Sequence, residues 1–192
     1  MVSSITLKNL IIGYRSKHQL RAIASPVHAS LQAGELTCLI GANGVGKSTL
    51  LRTLAGFQPA LDGEILIQDK SLSDFSAQEL AREISIVLTS KTDHAQLSAE
   101  EIVGIGRSPY TGFWGTLSAA DKQIVASALQ ETGIQHLAQR NISELSDGER
   151  QKVMIAKALA QQTRIIILDE PTAFLDFPSK IETLQMLRRL AH

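Results

Sequence analysis

A glycine-rich stretch at residues 41–49, GANGVGKST, has the spacing of a phosphate-binding loop. Glycine permits a tight turn, and without a Cβ atom the backbone N–H groups can approach phosphate oxygens. A helix that starts at the end of the loop would add the positive end of its dipole. The pattern predicts nucleotide binding, and the alternative is a glycine turn that matches by coincidence. The residues predicted to contact the nucleotide or its metal here are Gly41, Asn43, Gly44, Gly46, Lys47, Ser48 and Thr49.

Three consecutive side chains at the end of this loop differ in their predicted roles. Lys47 would reach the β- and γ-phosphates of a nucleotide, and Ser48 would ligate Mg²⁺. Thr49 would form a hydrogen bond with a neighbouring phosphate oxygen. The predicted ligand of the loop is therefore ATP with Mg²⁺, and Lys47 is also a candidate catalytic residue.

A pair of carboxylates follows Arg164 and the aliphatic run at residues 165–168. Three of the four aliphatic residues in this run are β-branched, which predicts a fully buried strand of a parallel sheet. Asp169 and Glu170 come at its C-terminal end, where ligands bind in open α/β sheets. Asp169 would hold Mg²⁺, and Glu170 would orient or deprotonate the attacking water. The alternative, a solvated strand end, is less favoured for two adjacent carboxylates in a chain that also has the glycine loop.

The segment at residues 145–151, LSDGERQ, is the third stretch with chemical content. On its own, it predicts a helix N-terminus with Ser146 as the capping residue. Taken together with the other two stretches, it predicts a second helix start that binds an anion.

Hydrophobic patterning predicts the elements that position these stretches. Residues 36–40 are typical of a buried strand leading into the glycine loop, and the apolar residues after the loop share one face of a helix. Upstream, residues 5–14 and 22–31 show the partial alternation of short strands. Further short strands are predicted at residues 64–68 and 85–88.

Tyr14 lies at the end of the first predicted strand, directly after Gly13. It could pack on an edge strand, or it could stack on an adenine ring, a contact worth about 1–3 kcal/mol. The motifs downstream favour stacking.

The character of the chain changes between residues 89 and 161. Residues 97–106 and 119–129 have helical periodicity, and glycines and a proline interrupt the segment between them. The pattern predicts a mostly helical insertion. Its loop at residues 109–115 contains the only tryptophan, Trp114. This loop either packs locally as a turn or forms a partner surface, since aromatic residues are enriched at interfaces.

Composition, net charge and the lengths of the apolar runs indicate the size of the core, the kind of partner and the location of the protein. The 192 residues are 44% hydrophobic, with 19 basic and 19 acidic side chains, enough for one core with an inserted subdomain. A formal net charge of zero gives no electrostatic reason to expect a nucleic-acid partner. The lone Cys38 is predicted to be a small core residue in a reducing compartment. The N-terminus lacks an apolar signal core, and no apolar run approaches the ~20 residues of a membrane helix, so we expect a cytoplasmic protein.

Together, these stretches resemble the ATP-binding subunit of an ABC transporter. The matching stretches are the Walker A motif at 41–49, the Walker B motif at 165–170, the LSGGQ signature at 145–151 and the D-loop at 173–176. The signature is the motif that separates this family from other P-loop NTPases. Tyr14 occupies the A-loop position, and Asp176 belongs to the stretch that resembles the D-loop. Within the family, residues 106–110 and 117–121 are similar to importers of ferric siderophores, haem or cobalamin.

The resemblance implies an α/β fold of the P-loop NTPase class, with a RecA-like core, an antiparallel β subdomain and an inserted helical subdomain. The implied domains are the nucleotide-binding core with the antiparallel β subdomain at residues 1–89 and the helical signature subdomain at 90–160. The chain then returns to the core at residues 161–192.

The resemblance also implies a mechanism and partners. Two subunits would pair head to tail around ATP, so that Ser146 and Gly148 of one face the ATP held by Lys47 of the other. Asp176 would join this nucleotide-binding set. ATP hydrolysis would loosen the dimer and drive integral membrane permease subunits. The implied location is peripheral, at the cytoplasmic face of the cell membrane.

Three features depart from the family pattern. Thr89 stands where the family has the Q-loop glutamine, and its side chain is too short to reach both Mg²⁺ and the permease. Asp147 and Glu149 replace a glycine and a glutamine of the signature, adding negative charge near phosphate. After an amphipathic helix at residues 181–190, the chain stops at His192, before the family's switch histidine. The sequence is therefore expected to be a C-terminally truncated fragment with impaired ATPase activity.

Two other hypotheses stay open. A non-transport ABC ATPase would carry two cassettes or long coiled coils, features that the sequence lacks. A catalytically silent nucleotide-binding fragment is supported by the missing switch histidine and opposed by the intact pair Asp169 and Glu170. In this class of protein, the strand that follows the Walker B motif lies between the Walker B strand and the strand that leads into the Walker A motif. Because the chain stops before it, the strands at residues 36–40 and 164–168 are each expected to lose a hydrogen-bonded neighbour.

Overall fold

The computed structural model describes residues 3–15, 20–24, 26–88 and 96–191. The chain divides into two units, one comprising the residues up to Leu80 together with Ala191, and the other comprising Ala81–Leu190. The strands are β1 (Ser3–Ile11), β2 (Gly13–Arg15), β3 (Leu20–Ala22), β4 (Val27–Gln32), β5 (Asp62–Ile67), β6 (Lys70–Ser71), β7 (Ile84–Val87) and β8 (Ile165–Leu168). The α-helices are α1 (Lys47–Leu54), α2 (Ala77–Glu83), α3 (Ala99–Ile105), α4 (Ala119–Glu131), α5 (Asp147–Ala160) and α6 (Phe177–Leu190).

An antiparallel sheet with the order β4-β1-β5-β6 dominates the first unit. On the central strand β1, Leu7 lies opposite Ala29 of β4 and Ile65 of β5. Ile5 and Leu7 are buried, whereas Lys8 is exposed, so one face of β1 packs into the core as its alternation predicts. The antiparallel β subdomain expected from the sequence is therefore confirmed.

Three helices of the second unit, α3, α4 and α5, pack around one apolar cluster. The buried members of the cluster are Ala99, Ile102, Val103, Val125, Ala128, Leu129, Ile134, Leu137, Ile142, Leu145, Val153, Ala156 and Ala160. A smaller cluster joins α5 to α6 through Ile155, Met186 and Leu187. β7 and β8 pair in parallel, with Ile84 opposite Ile165. The predicted helical insertion and the parallel strand before the carboxylate pair are both present.

Four helices, α2 to α5, begin with the same local device. In each, a serine hydroxyl accepts a hydrogen bond from the backbone N–H of the acidic residue three positions later. The carboxylate of that acidic residue in turn accepts a hydrogen bond from the backbone N–H of the serine. Each pair satisfies N–H groups that a helix start leaves without intrahelical acceptors. The pairs are Ser76 with Glu79, Ser98 with Glu101, Ser118 with Asp121, and Ser146 with Glu149.

The segment before the glycine loop differs from the sequence prediction. Residues 36–40 are not in a strand, and Ile40 is 91% exposed. Cys38 is exposed rather than a core residue. The physical reason is that, among the residues with described positions, no strand pairs with this segment to cover it.

The strand before the carboxylate pair also differs in burial. In β8 only Ile167 is fully buried, and the other three residues are partly exposed, so the expectation of a fully buried strand was wrong. Within the described ranges, β8 has a single ladder neighbour, β7. None of the helices in those ranges is both long and apolar enough to cross a bilayer.

Candidate functional site

The glycine loop ends at the first residue of α1, and backbone geometry explains its glycines. Gly44 and Gly46 have φ angles of 78° and 105°, in the left-handed region that disfavours side chains. A Cβ atom on Gly46 would also lie 2.6 Å from Cγ2 of Ile23. The first turn of α1 carries no acidic residue. The helix start can therefore receive an anion.

Lys47 folds back onto the loop that precedes it. Its Nζ donates to the carbonyl oxygens of Gly41 and Ala42, at 2.9 Å and 3.0 Å. The two hydrogen bonds hold the ammonium group against the start of the loop. A cation beside a helix N-terminus strengthens a site for phosphate oxygens.

Thr49 and Tyr14 meet although they are far apart in the sequence. The Tyr14 hydroxyl and Thr49 Oγ1 are 3.2 Å apart. Thr49 is 7% exposed and Tyr14 is 56% exposed, so the contact fixes the phenol oxygen while much of the ring faces solvent. Both residues are predicted from the sequence to contact the nucleotide, but nothing in the sequence signals this pairing.

The predicted carboxylate pair follows β8 directly, and its two members have different surroundings. Asp169 is 7% exposed, and its backbone N–H donates to the Val87 carbonyl at 2.9 Å, which extends the ladder of β8 by one bond. Glu170 is exposed and has a φ angle of 51°. A non-glycine residue in this region costs on the order of 1–3 kcal/mol, and such strain clusters at functional sites. Asn9, Gln68, Asp69, Gln162 and Phe174 share this backbone region, so it is the place of Glu170 directly after Asp169, with an exposed side chain, that distinguishes it.

Ser146 caps α5, as the sequence predicted, and Glu149 completes the cap. The Glu149 carboxylate accepts both the backbone N–H and the hydroxyl of Ser146, each at 2.8 Å. These hydrogen bonds, from the backbone first and then the hydroxyl, lower the pKa of Glu149. The glutamate that departs from the family signature therefore has a structural role at the helix start.

The second acidic departure from the signature, Asp147, also has a local partner. Its Oδ1 accepts a hydrogen bond from Arg150 Nη2 at 2.8 Å. The pair is half exposed, so its effect on stability is small. It nevertheless places a positive charge beside the carboxylate at the start of α5.

Asp176 caps the next helix, α6. Its Oδ1 accepts the backbone N–H of Ser179 at 3.2 Å, and hydrogen bonds from the Ser179 side chain and backbone lower the pKa of Asp176. A Cβ atom on Gly148 would lie 3.0 Å from Ser179 Oγ. The starts of α5 and α6 therefore approach each other closely at Gly148, which brings two of the predicted motif stretches together.

The two predicted magnesium ligands, Ser48 and Asp169, provide a hydroxyl and a carboxylate oxygen. These are donors that Mg²⁺ prefers when phosphates and water complete its coordination. The part of the chain with described positions contains no group of three or more His, Cys, Asp or Glu residues able to hold a metal. Thr89 and His192, which belong to two of the three departures from the family pattern, lie outside the described residues.

A comparison with known protein families adds the deciding observation. The family model for the ABC transporter matches residues 24–173, a range that contains the glycine loop, the signature and the carboxylate pair. The chain belongs to the ABC transporter family. The resemblance read from the motifs is thus confirmed.

Two curated relatives of this ABC protein cover nearly all of it. The uncharacterized ABC transporter ATP-binding protein MJ0873 of Methanocaldococcus jannaschii is 40% identical over 184 residues, which are 96% of this chain and 62% of the relative. The iron(3+)-hydroxamate import ATP-binding protein FhuC of Bacillus subtilis is 37% identical over 189 residues, or 98% of this chain and 69% of FhuC. The chain therefore spans about two thirds of the length of these relatives.

A solved ABC cassette supports the fold. The dimeric structure of MJ0796 in a post-hydrolysis state, bound to ADP and Pi, matches with a TM-score of 0.81 at 26% identity. The match covers 98% of this chain and 83% of that one. The α/β, P-loop NTPase fold predicted from the motifs is confirmed.

Proposed function

We propose that this chain is the ATP-binding and ATP-hydrolysing part of an ABC importer. The observation that carries the proposal is the glycine loop at the start of α1, with the Lys47 ammonium held against it at 2.9 Å and 3.0 Å from two loop carbonyls. A helix start without acidic residues, beside a fixed cation, suits a triphosphate.

ATP would lie along the loop, with its phosphates facing the backbone N–H groups of residues 41–49. Lys47 would exchange its carbonyl partners for β- and γ-phosphate oxygens. Mg²⁺, held by Ser48 and Asp169, would neutralise charge on the phosphates when bound. Tyr14, its hydroxyl anchored on Thr49, would offer its ring to the adenine.

Glu170 would orient the attacking water or accept its proton. Its place directly after Asp169 at the end of β8, with an exposed side chain, supports this role. Asp169, buried beside it at the end of β8, would stay with the metal. The two neighbouring carboxylates thereby have separate tasks.

Pairing of two subunits head to tail would complete the site. Ser146 and Gly148 at the start of α5 would face the γ-phosphate held by the partner, where the helix dipole stabilises negative charge. Asp176 would approach the same interface, because α6 starts beside Gly148. The dimeric form of the similar MJ0796 cassette supports this arrangement.

The transported solute and the location are further parts of the proposal. The FhuC relative is named for iron(3+)-hydroxamate import, which supports an iron-siderophore, haem or cobalamin complex as the solute. The subunit would bind integral membrane permeases from the cytoplasmic face of the cell membrane, and no nucleic acid. Its domains would be the core at residues 1–89, the helical signature subdomain at 90–160 and the returning core from 161.

The nucleotide site is tested by replacing Lys47. Lys47→Ala removes the cation proposed to face the β- and γ-phosphates, so we expect MgATP affinity to fall at least tenfold, or about 1.4 kcal/mol. Isothermal titration calorimetry on both proteins measures this directly. Lys152→Ala, which removes a lysine that pairs with Glu182 at 2.9 Å and lies outside the glycine loop, is the control and should leave affinity unchanged. Equal affinities for Lys47→Ala and wild type would refute the site.

The head-to-tail dimer is tested with two substitutions. Glu170→Gln should slow hydrolysis while Asp169 still holds Mg²⁺, so that ATP traps a dimer visible by size-exclusion chromatography with light scattering. Adding Ser146→Arg should abolish that dimer, because a bulky side chain would stand where the γ-phosphate docks. A double variant that dimerises as well as Glu170→Gln alone would show that the interface lies elsewhere.

We also propose that these 192 residues alone hydrolyse ATP slowly. Residues 36–40, which lead into the glycine loop, are outside any strand, and Ile40 is 91% exposed. The same observation favours the second candidate function, a catalytically silent nucleotide-binding unit. Measuring turnover and unfolding of the purified chain separates the two. Cooperative unfolding together with turnover that Glu170→Gln abolishes would contradict the proposed impairment.

A further inference from the structure

The hydroxyl of Ser146, the residue that caps α5, already has an acceptor within its own subunit. It donates to the Glu149 carboxylate at 2.8 Å, and the Ser146 backbone N–H donates to the same Oε2 atom at 2.8 Å. The Glu149 backbone N–H in turn donates to Ser146 Oγ at 3.3 Å. A serine hydroxyl has one proton to donate. While Glu149 accepts that proton, Ser146 cannot donate it to another acceptor.

The surroundings of Glu149 keep its carboxylate charged. Hydrogen bonds from the backbone and then the hydroxyl of Ser146 lower the pKa of Glu149, and the nearby cationic side chains of Arg140 and His136 act in the same direction. The carboxylate is therefore ionised at neutral pH, and its hydrogen bond with the hydroxyl is charge-assisted. Such bonds are roughly twice as strong as those between neutral groups.

The same bond between a serine hydroxyl and a carboxylate occurs at two other helix starts. Ser98 donates to Glu101 at 2.9 Å on α3, and Ser118 donates to Asp121 at 2.6 Å on α4. Nothing in the proposed function requires those two hydroxyls. At α5 the proposed function requires the serine hydroxyl as a donor to the γ-phosphate held by the partner. The cap and the nucleotide therefore make conflicting demands on the same proton.

Asp147, the other acidic residue in the first turn of α5, has a different partner. Its Oδ1 accepts a hydrogen bond from Arg150 Nη2 at 2.8 Å, whereas Glu149 accepts from the hydroxyl of Ser146. Both acids place a negative charge at the helix start, but it is Glu149 that holds the hydroxyl. Comparing the two acids therefore separates general charge repulsion from competition for the hydroxyl.

We infer that the Glu149 carboxylate competes with the γ-phosphate for the Ser146 hydroxyl and thereby weakens the ATP-dependent pairing of two subunits. This rests on the proposed function, in which Ser146 docks on the nucleotide of the partner subunit. To donate to a phosphate oxygen, the hydroxyl has to leave a charge-assisted hydrogen bond. The released carboxylate then lies close to an anion, and like charges placed together across an interface oppose binding.

The inference is tested in the Glu170→Gln variant, in which ATP is expected to trap the dimer. Analytical ultracentrifugation at saturating MgATP measures the dimer dissociation constant with and without Glu149→Gln. This substitution keeps an oxygen acceptor for the cap and removes the charge. We expect the dimer to tighten at least tenfold, or about 1.4 kcal/mol shared between its two symmetric signature contacts. A dimer of unchanged or lower affinity would overturn the inference.

Three further variants in the same background show whether the hydroxyl is the cause. Asp147→Asn removes the neighbouring charge and should tighten the dimer less than about threefold, the scale of an exposed charge. Tightening equal to that of Glu149→Gln would indicate general repulsion and refute competition. Glu101→Gln makes the same change in the cap of α3 and should have no effect. When Ser146→Ala is also present, Glu149→Gln should neither tighten nor restore the dimer, and a full effect without the hydroxyl would contradict the inference.

The direction of the effect separates competition from a merely structural role of Glu149. Glu149→Gln removes a negative charge at the positive end of the α5 dipole, so the free energy of unfolding in urea should stay the same or fall. A variant that is no more stable and yet dimerises more tightly is the result that competition predicts. A role in the cap alone predicts a weaker dimer.

The result is separable from that of the proposed function. MgATP affinity of the monomer, measured by calorimetry, should be the same for Glu149→Gln and wild type, since Glu149 is outside the glycine loop. If Glu170→Gln forms no ATP-dependent dimer, the proposed head-to-tail arrangement fails and this inference fails with it. An ATP-dependent dimer that Glu149→Gln leaves unchanged refutes this inference alone.

Discussion

Replacing Arg107 with alanine tests the network that supports the loop between α3 and α4. The guanidinium is 5% exposed and serves three acceptors, which are Asp121 at 2.9 Å, the Ala160 carbonyl at 2.8 Å and Gln162 at 3.0 Å. Arg107→Ala removes all three bonds and the contact with the Tyr110 ring. The variant should therefore lower the free energy of unfolding.

The size of the loss follows from what the substitution leaves behind. Removing a donor leaves a buried acceptor unsatisfied at about 1–3 kcal/mol, and the Ala160 carbonyl is such an acceptor. Asp121 is partly exposed and keeps two donors, the backbone N–H and the hydroxyl of Ser118 at 3.0 Å and 2.6 Å, so its charge adds little to the loss. We expect about 2–3 kcal/mol, a large part of the 5–15 kcal/mol stability of a typical domain.

Urea unfolding followed by circular dichroism measures this difference. Arg82→Ala is the matched control, because Arg82 bonds the same loop and lies over the same Tyr110 ring but is exposed. Its loss should stay at or below about 1 kcal/mol, the range of exposed polar contacts. A loss for Arg107→Ala no larger than that for Arg82→Ala would refute the reasoning from burial.

Two further predictions concern packing and pH. Gly106→Ala should destabilise the protein by at least about 1–3 kcal/mol, because its Cβ would overlap the carbonyl oxygen of Lys157. Gly112→Ala, with no atom within 4 Å of the added Cβ, should cost far less in the same urea experiment. Hydrogen bonds from Ser118 and Arg107 lower the pKa of Asp121 from 3.8 to about 2. The charged form is favoured by folding, so its stabilisation is present above pH 3.8 and disappears as the pH falls towards 2. An Asp121→Asn variant should show a flatter pH dependence of unfolding over that window, and an unchanged slope would argue against this carboxylate.

Sequence alone was sufficient wherever the determinant is local. Gly44 and Gly46 have a left-handed backbone, which favours glycine at these two positions. The loop could therefore be recognised from the spacing of its glycines along the chain. The cap at Ser146 follows from a serine and an acid three positions apart, a spacing that one helical turn imposes. The strand before Asp169 was likewise visible as a short β-branched run. In each case the interacting groups are neighbours along the chain, so their types and spacing carry the information.

Tertiary structure decided whatever depends on groups distant in the chain. Tyr14 meets Thr49, 35 residues away, and Arg107 meets Gln162, 55 residues away, and no pattern around either residue indicates these pairings. The burial of residues 36–40 was predicted from their apolar character. Burial, however, depends on a neighbouring strand, and none pairs with them in the described part of the chain. The amino-acid types determined what each segment could do, and packing determined which segments met, because contacts between distant residues depend on the whole chain's fold.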